Sequence, residues 1–181
     1  MFYDITKRVL DIVAVLILSV LFLPVWFIIP ILIKLDSSGP IFYKPERVGK
    51  NGKVFGMFKF RSMKMLEING KTAHAVEFWN QNPELYEKYK KNGWKLELDE
   101  DPRITRLGKI LRQTSIDEMP QIINIFLGEM SLVGPRAYVE PEIKDAIKRY
   151  GKNLEKIIEE SLEAKPGLTG PWQVSGRNEI P

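Results

Sequence analysis

IVAVLILSVLFLPVWFIIPILI (residues 12–33) runs for 22 residues without one charged side chain, and its reading decides the fold. At about 1.5 Å per residue, a straight helix of this length extends roughly 33 Å, enough to cross a hydrocarbon core. Pro24 sits at the middle of the run and removes a backbone donor where a helix needs one. One reading is a spanning helix with a tolerated kink. The other is two half-helices of about 18 Å each, bent at Pro24, that enter and leave on the same face. Lys7 and Arg8 precede the run, and Lys34, Lys44 and Arg47 follow it. The usual bias of basic residues toward the cytoplasmic flank therefore favours neither reading. No small-x-small cleavage site follows, and the apolar stretch is too long for a secretory signal peptide.

Outside this run the chain is rich in Lys, Arg, Asp and Glu, and its 181 residues suit one domain of ordinary size plus a small appendage. The net charge of +4 fits a protein lying near an anionic membrane surface or handling phosphorylated substrates. No reader motif for nucleic acid accompanies it, so no nucleic-acid partner is expected. The absence of cysteine excludes disulfides, thiolate chemistry and Cys-based zinc sites. His74 is the single histidine, which argues against a His-rich metal site or a Ser-His-Asp triad. The chemistry must rest on carboxylates and cations.

After the apolar run, Asp36-Ser-Ser-Gly-Pro40 reads as a turn-rich exit. Asn51-Gly52, between two β-prone stretches, reads as a hairpin turn. Residues 67–100 read as a surface insertion, with a short charged helix from Glu84 to Lys91 after Asn82-Pro83. Ile104, Leu107, Ile110 and Leu111 have the spacing of an amphipathic helix. A second helix is predicted from about Ser115 through Phe126, with Gly128 ending it. Residues 140–163 read as charged helix broken near Gly151, and Lys165–Gly170 as a loop.

Asp117-Glu118 carries the chemical argument. In the first turn of a helix these carboxylates would feel the positive end of the backbone dipole, as would a bound phosphate. An ionised Asp there can serve as nucleophile toward phosphorus, with Mg²⁺ neutralising the phosphate oxygens. The competing reading is structural. Ser115-Ile-Asp-Glu118 matches a capping box, in which Ser115 caps the helix and Glu118 reaches back, and taken alone the pair is better explained that way. Arg112, Arg136 after the Gly134-Pro135 turn, and Arg177 in a Gly-Arg-Asn turn add cations whose planar forks suit phosphate. Lys59 and Arg61 alternate with Phe58 and Phe60, which would place both cations on one face of a strand. Each cation alone is more often a solvated surface charge.

FGMFKFRSM (55–63), DPRITRLGKILRQTSIDEMPQIINIFLGEMSLVGPR (101–136) and KPGLTGPWQVSGRN (165–178) occur in this order. In these motifs, and from the anchor to the end, the chain resembles the monotopic phosphoglycosyl transferases, bacterial sugar transferases that initiate glycoconjugate assembly. The resemblance implies a UDP-sugar and polyprenyl (undecaprenyl) phosphate as substrates and Mg²⁺ as cofactor. It makes Asp117 the nucleophile and metal contact, and gives Glu118 the task of positioning or deprotonating the lipid phosphate. Lys59, Arg112, Arg136 and Arg177 take the positions of the family's phosphate-contacting cations. The resemblance also favours the re-entrant anchor, with the catalytic domain on the cytoplasmic face of the bacterial inner membrane.

Two features depart from the family. Leu23 stands where a Ser commonly precedes the membrane proline, and the family usually continues beyond the Gly-Arg-Asn motif, so residues C-terminal to Pro181 are expected to be missing. The expected architecture is a mixed, helix-rich α/β cytoplasmic domain (36–181) on a re-entrant helix-break-helix (1–35). The insertion at 67–100 resembles the branch that transfers galactose or glucose phosphate. The alternative is a catalytically silent, membrane-anchored scaffold that binds a partner enzyme or a nucleotide sugar. A DNA-binding protein with a hydrophobic tether would explain the charge and nothing else. The sequence leaves the sugar, the pathway and homo-oligomerisation open.

Overall fold

A helix cannot pass undisturbed through Pro24, because the ring removes an amide donor and crowds the carbonyl four residues back. In the computed structural model, which describes residues 2–68, 71–73, 75–92 and 96–171, α1 (Phe2–Leu21) accordingly stops before the proline and α2 (Leu23–Asp36) restarts beside it. The pair is bent by 64° at the break. No single helix among the described residues is long and apolar enough to cross a membrane, whereas the bent pair meets the test by length and composition. The apolar run is therefore broken beside Pro24, as in either a kinked span or a re-entrant pair. The arms are unequal, 20 and 14 residues, or about 30 and 21 Å, because α1 begins well before the apolar run.

Beyond the pair, the chain continues through β1 (Phe42–Tyr43), β2 (Glu46–Val48), β3 (Val54–Gly56), β4 (Lys59–Phe60), β5 (Leu66–Ile68), β6 (Lys71–Ala73), α3 (Ala75–Gln81), α4 (Pro83–Lys91), α5 (Arg106–Gln113), α6 (Gln121–Leu127), β7 (Ser131–Val133), α7 (Glu140–Tyr150), α8 (Lys152–Leu162) and β8 (Gly167–Thr169). Strands are short and pair two by two. The result is the expected mixed, helix-rich α/β chain. It divides into two compact units, Met1–Trp26 with Tyr43–Lys59 and Glu118–Pro181, and Phe27–Phe42 with Phe60–Asp117.

In the first unit, Val15 of α1 meets Phe55, Met57, Ile122, Ile125 and Met130 in a buried cluster. Polar clamps fix α1 to this core. Asp11, only 4 % exposed, accepts hydrogen bonds from the Leu132 amide (3.0 Å), the Ser131 hydroxyl (2.9 Å) and Lys7 (3.0 Å). Arg8 donates to the Ile125 and Phe126 carbonyls near the end of α6. Asn124, fully buried, accepts from the Phe58 amide and donates to the Gly56 carbonyl and Glu129. A buried amide bonded in this way is satisfied, so its burial carries no unpaired-group penalty.

The Asn51-Gly52 turn forms as expected: β2 and β3 pair antiparallel, Arg47 opposite Phe55, and both turn residues have positive φ. Residues 165–170 are more than a loop. β8 pairs parallel with β7 across the α7–α8 connection, and the backbones approach so closely that a Cβ on Gly134 would lie 2.3 Å from the Lys165 carbonyl oxygen. No periodicity betrays a three-residue parallel strand. Gly151 breaks α7 from α8 and Gly128 ends α6, as expected.

In the second unit, Arg61 is buried (4 % exposed), and its guanidinium donates to the carbonyls of Ile33, Ser37 and Ser38 at the end of α2. Its charge therefore closes the end of a helix. The 67–100 segment carries the expected α4 and, in addition, the β5–β6 hairpin and α3. It is also more than a surface insertion. Phe78 is buried, Trp79 stacks on Tyr89 at 4.8 Å, and the Arg103 guanidinium lies 4.4 and 4.5 Å from the Phe78 and Trp79 rings. Arg103 also forks onto Asp101, through Nε at 2.8 Å and Nη2 at 2.7 Å. The insertion is thus pinned to the start of the 101–136 motif.

Candidate active site

α5 starts where its sequence allows an N-cap: the Thr105 hydroxyl accepts the Gly108 amide at 2.8 Å. Arg112 stands on its last turn, and its Nε donates to the Ser62 hydroxyl at 2.8 Å. The chain then turns through Ser115 in the left-handed region, φ +58°. A 3₁₀ turn, Ile116–Glu118, follows, and α6 begins only at Gln121.

The helix predicted from Ser115 to Phe126 is therefore corrected at its start. Pro120 disfavours helical backbone in the residue before it, so Met119 cannot comfortably carry a helix through. A capping residue has extended backbone, which φ +58° at Ser115 excludes, and the capping-box reading fails. Asp117 and Glu118 do not occupy the first turn of α6 either.

What the 3₁₀ turn does is divide the two carboxylates. Asp117 is buried, 6 % exposed. Glu118 is about one-third exposed, and its Oε1 receives Lys59 Nζ at 2.8 Å. Lys59, next to the segment that Asn124 holds, is thus paired with Glu118. Arg136 follows the closely packed Gly134-Pro135 turn and faces Glu142 at 3.6 Å on the first turn of α7. Burial raises the phenol pKa of the adjacent Tyr138, and Arg136 partly offsets this. Of the expected site residues, Lys59, Glu118 and Arg136 belong to the first unit, and Arg112 and Asp117 to the second. Arg177 and His74 lie outside the described residues.

Among the described residues, no three carboxylate or imidazole groups gather as a metal cage. Mg²⁺ commonly uses only one or two carboxylates together with substrate phosphates. A single buried Asp117 beside a diphosphate fits that donor set, while the Glu118 carboxylate is already engaged by Lys59. Ser62, Asn124 and Asp11 escaped the reading of the sequence. Each has a defining partner 50 or more positions away, and only the quoted motif 55–63 hinted at Ser62.

Comparison with known proteins matches the family described as bacterial sugar transferase over residues 2–181. The exopolysaccharide production protein ExoY of Sinorhizobium fredii is 38% identical over 176 residues, covering 97% of this chain and 71% of that protein. The UDP-glucose:undecaprenyl-phosphate glucose-1-phosphate transferase of Caulobacter vibrioides is 36% identical, covering 96% and 55%. The undecaprenyl-phosphate galactose phosphotransferase of Salmonella typhimurium is 38% identical, and the chain, matched over 96% of its length, spans 33% of that larger protein. With a family match over nearly its whole length and relatives at this identity, the chain belongs to the bacterial sugar transferases.

Proposed function

We propose that this sugar transferase moves a sugar 1-phosphate from a UDP-sugar to polyprenyl phosphate, giving a polyprenyl-diphosphate-sugar and UMP. The names of its Caulobacter and Salmonella relatives, which specify glucose or galactose phosphate and undecaprenyl phosphate, support the substrate class. The observation that carries the reading is the unequal pair: a buried Asp117 beside a Glu118 held by Lys59 at 2.8 Å.

In this scheme the Asp117 carboxylate attacks the β-phosphorus of the UDP-sugar. The bond from that phosphorus to the bridging oxygen breaks, and UMP leaves. An oxygen of the polyprenyl phosphate then attacks the same phosphorus, and Asp117 departs as a carboxylate. Burial leaves the Asp117 carboxylate with little water to compete for the phosphorus. Glu118, fixed by Lys59, positions the incoming lipid phosphate or takes its remaining proton. Lys59, Arg112, Arg136 and Arg177 hold phosphate oxygens. Asp117 would hold Mg²⁺, which would supply neutralisation of the phosphate charge.

The α1–α2 pair serves as a re-entrant anchor in the inner membrane, with the remainder of the chain on the cytoplasmic face. Its exposed Leu16, Ile17, Val20, Phe27, Ile28 and Ile31 side chains supply the apolar surface such an anchor needs.

The test is UMP release from UDP-galactose and UDP-glucose with undecaprenyl phosphate and Mg²⁺, with intact-mass analysis of the protein. Asp117→Asn is expected to lose UMP release by at least about a thousandfold and to form no adduct. Glu118→Gln is expected to give one stoichiometric burst of UMP and accumulate the phosphosugar adduct, because its defect falls on the second transfer. UMP release undiminished in Asp117→Asn would remove the covalent scheme.

A further inference from the structure

We propose that Arg8, Lys50 and Lys165 form a binding site for the phosphate of an acidic phospholipid at the water-facing end of α1. The inference rests on the anchor reading of the α1–α2 pair above. Its geometry lies wholly within the first unit.

The cations meet at Gly128. This residue ends α6 in the left-handed region, φ +84°, and a Cβ built on it would lie 3.6 Å from both Arg8 Nη2 and Lys165 Nζ. Two positive groups therefore stand side by side over a residue with no side chain to part them. Each is held by a different element. Arg8 donates to the Ile125 carbonyl and, at 2.8 Å, to that of Phe126, which occupies two of its five N–H donors. Lys165 enters from the segment before β8, where the carbonyl of Pro166 accepts the Ser131 amide at 2.9 Å.

The two carboxylates at hand are engaged elsewhere. Asp11 accepts from Lys7, the Ser131 hydroxyl and the Leu132 amide. Glu129, next to Gly128, accepts Asn124 Nδ2 at 2.7 Å. The positive charge is consequently in excess. Burial and the charge of Arg8 lower the pKa of the Lys165 ammonium, Asp11 partly offsets this, and Lys50 adds to the lowering. An anion seated between Arg8 and Lys165 would take hydrogen bonds from both and relieve their repulsion.

The surroundings name its source. Arg8 lies four residues, about 6 Å, before Ile12, where the apolar run begins. Val9 and Leu10 of α1 and Phe126 and Leu127 of α6 are exposed apolar side chains beside the cations in sequence. A free phosphate has no use for that rim, whereas the acyl chains of a lipid do.

The experiment is native mass spectrometry of the full chain in detergent, titrated with phosphatidylglycerol or phosphatidylcholine. Wild type is expected to bind one phosphatidylglycerol at least about tenfold more tightly than phosphatidylcholine. Lys165→Gln is expected to weaken phosphatidylglycerol about fivefold, and Lys165→Arg to keep it. Lys34→Gln, which removes a cation near the end of α2, is expected to leave it unchanged. If Lys165→Gln fails to fold, Lys50→Gln at an exposed position serves instead, with an expected loss of about twofold. Equal affinity of wild type for the two lipids, no loss in these variants, or an equal loss in Lys34→Gln would overturn the assignment. Displacement of phosphatidylglycerol by an equal concentration of undecaprenyl phosphate would give the site to the acceptor lipid, and displacement by inorganic phosphate would give it to a free anion; either overturns the phospholipid reading. A wild-type chain that does not float with phosphatidylcholine vesicles removes the anchor reading and this site with it. One that floats and shows no preference for phosphatidylglycerol removes the site alone.

Discussion

Ser115 holds a left-handed backbone, φ +58°, at the point where α5 gives way to the turn bearing Asp117. For a residue with a Cβ, that conformation costs on the order of 1–2 kcal/mol. Glycine avoids the steric cost but loses more chain entropy on folding, about 0.5–1 kcal/mol. Ser115→Gly is therefore expected to be neutral or to stabilise by about 0.5 kcal/mol. Ser115→Val, branched at Cβ, is expected to destabilise by about 1–2 kcal/mol. Urea unfolding of both variants checks the pair; equal stability would mean the turn is not constrained. The same residue shows where the sequence misled. Ser-x-x-Glu is a valid cap signature, but it competes with Pro120, and the proline's restriction on its predecessor prevailed. The Asp117-Glu118 pair drew a chemical reading only through the motifs around it, since alone it matches a capping box. That Glu118 would be held by Lys59 was not, since 59 positions separate them.

Among the elements, α5 shows how two local preferences can oppose one another. Gly108 lies inside a helix, where alanine would ordinarily gain about 1 kcal/mol. Here a Cβ would stand 1.9 Å from the Ser62 carbonyl oxygen and 2.7 Å from its carbon, both rigid backbone atoms. Overpacking of this kind costs on the order of 3 kcal/mol or more, so the clash prevails. Gly108→Ala is expected to lower stability by about 2 kcal/mol net, read as a lower urea midpoint with unchanged slope; a stabilised variant would show that α5 can lift away from Ser62. Elements announced by their own residues were legible: the break beside Pro24, the Asn51-Gly52 turn, α4 after Asn82-Pro83, and the stops at Gly128 and Gly151. Those whose existence depends on a distant partner were not. β8 is a strand only because Gly134 and Gly167 let two backbones meet, and α3 persists against Arg103 and its own aromatic rings.

For the molecule as a whole, the question is on which side of a bilayer the two ends of the helix pair lie, and the polar clamps bear on it. Lys7, Arg8 and Asp11, near the start of α1, bond to residues 125–132, which follow the apolar run in sequence. Arg61, which also follows the run, holds the carbonyls at the end of α2. The sequence after residue 33 has no second uncharged run of comparable length. In the proposed re-entrant anchor, the start of α1, bonded to residues 125–132, would lie on the same membrane face as the end of α2. A crossing helix would pull Lys7, Arg8 and Asp11 away from these partners, and leaving a buried Asp11 unpaired costs about 3 kcal/mol or more. Re-entry keeps all of them. The absence of native cysteine makes the test simple, since each introduced thiol is the only one. Tyr3→Cys and Ser38→Cys, both at exposed positions on either side of the pair, are expected to react with a membrane-impermeant maleimide in inverted inner-membrane vesicles. Neither is expected to react in intact spheroplasts until the membrane is permeabilised. Labelling of Tyr3→Cys from the outside, with Ser38→Cys still protected, would mean that the apolar run crosses the bilayer and that the clamps at Asp11 and Arg8 do not hold there.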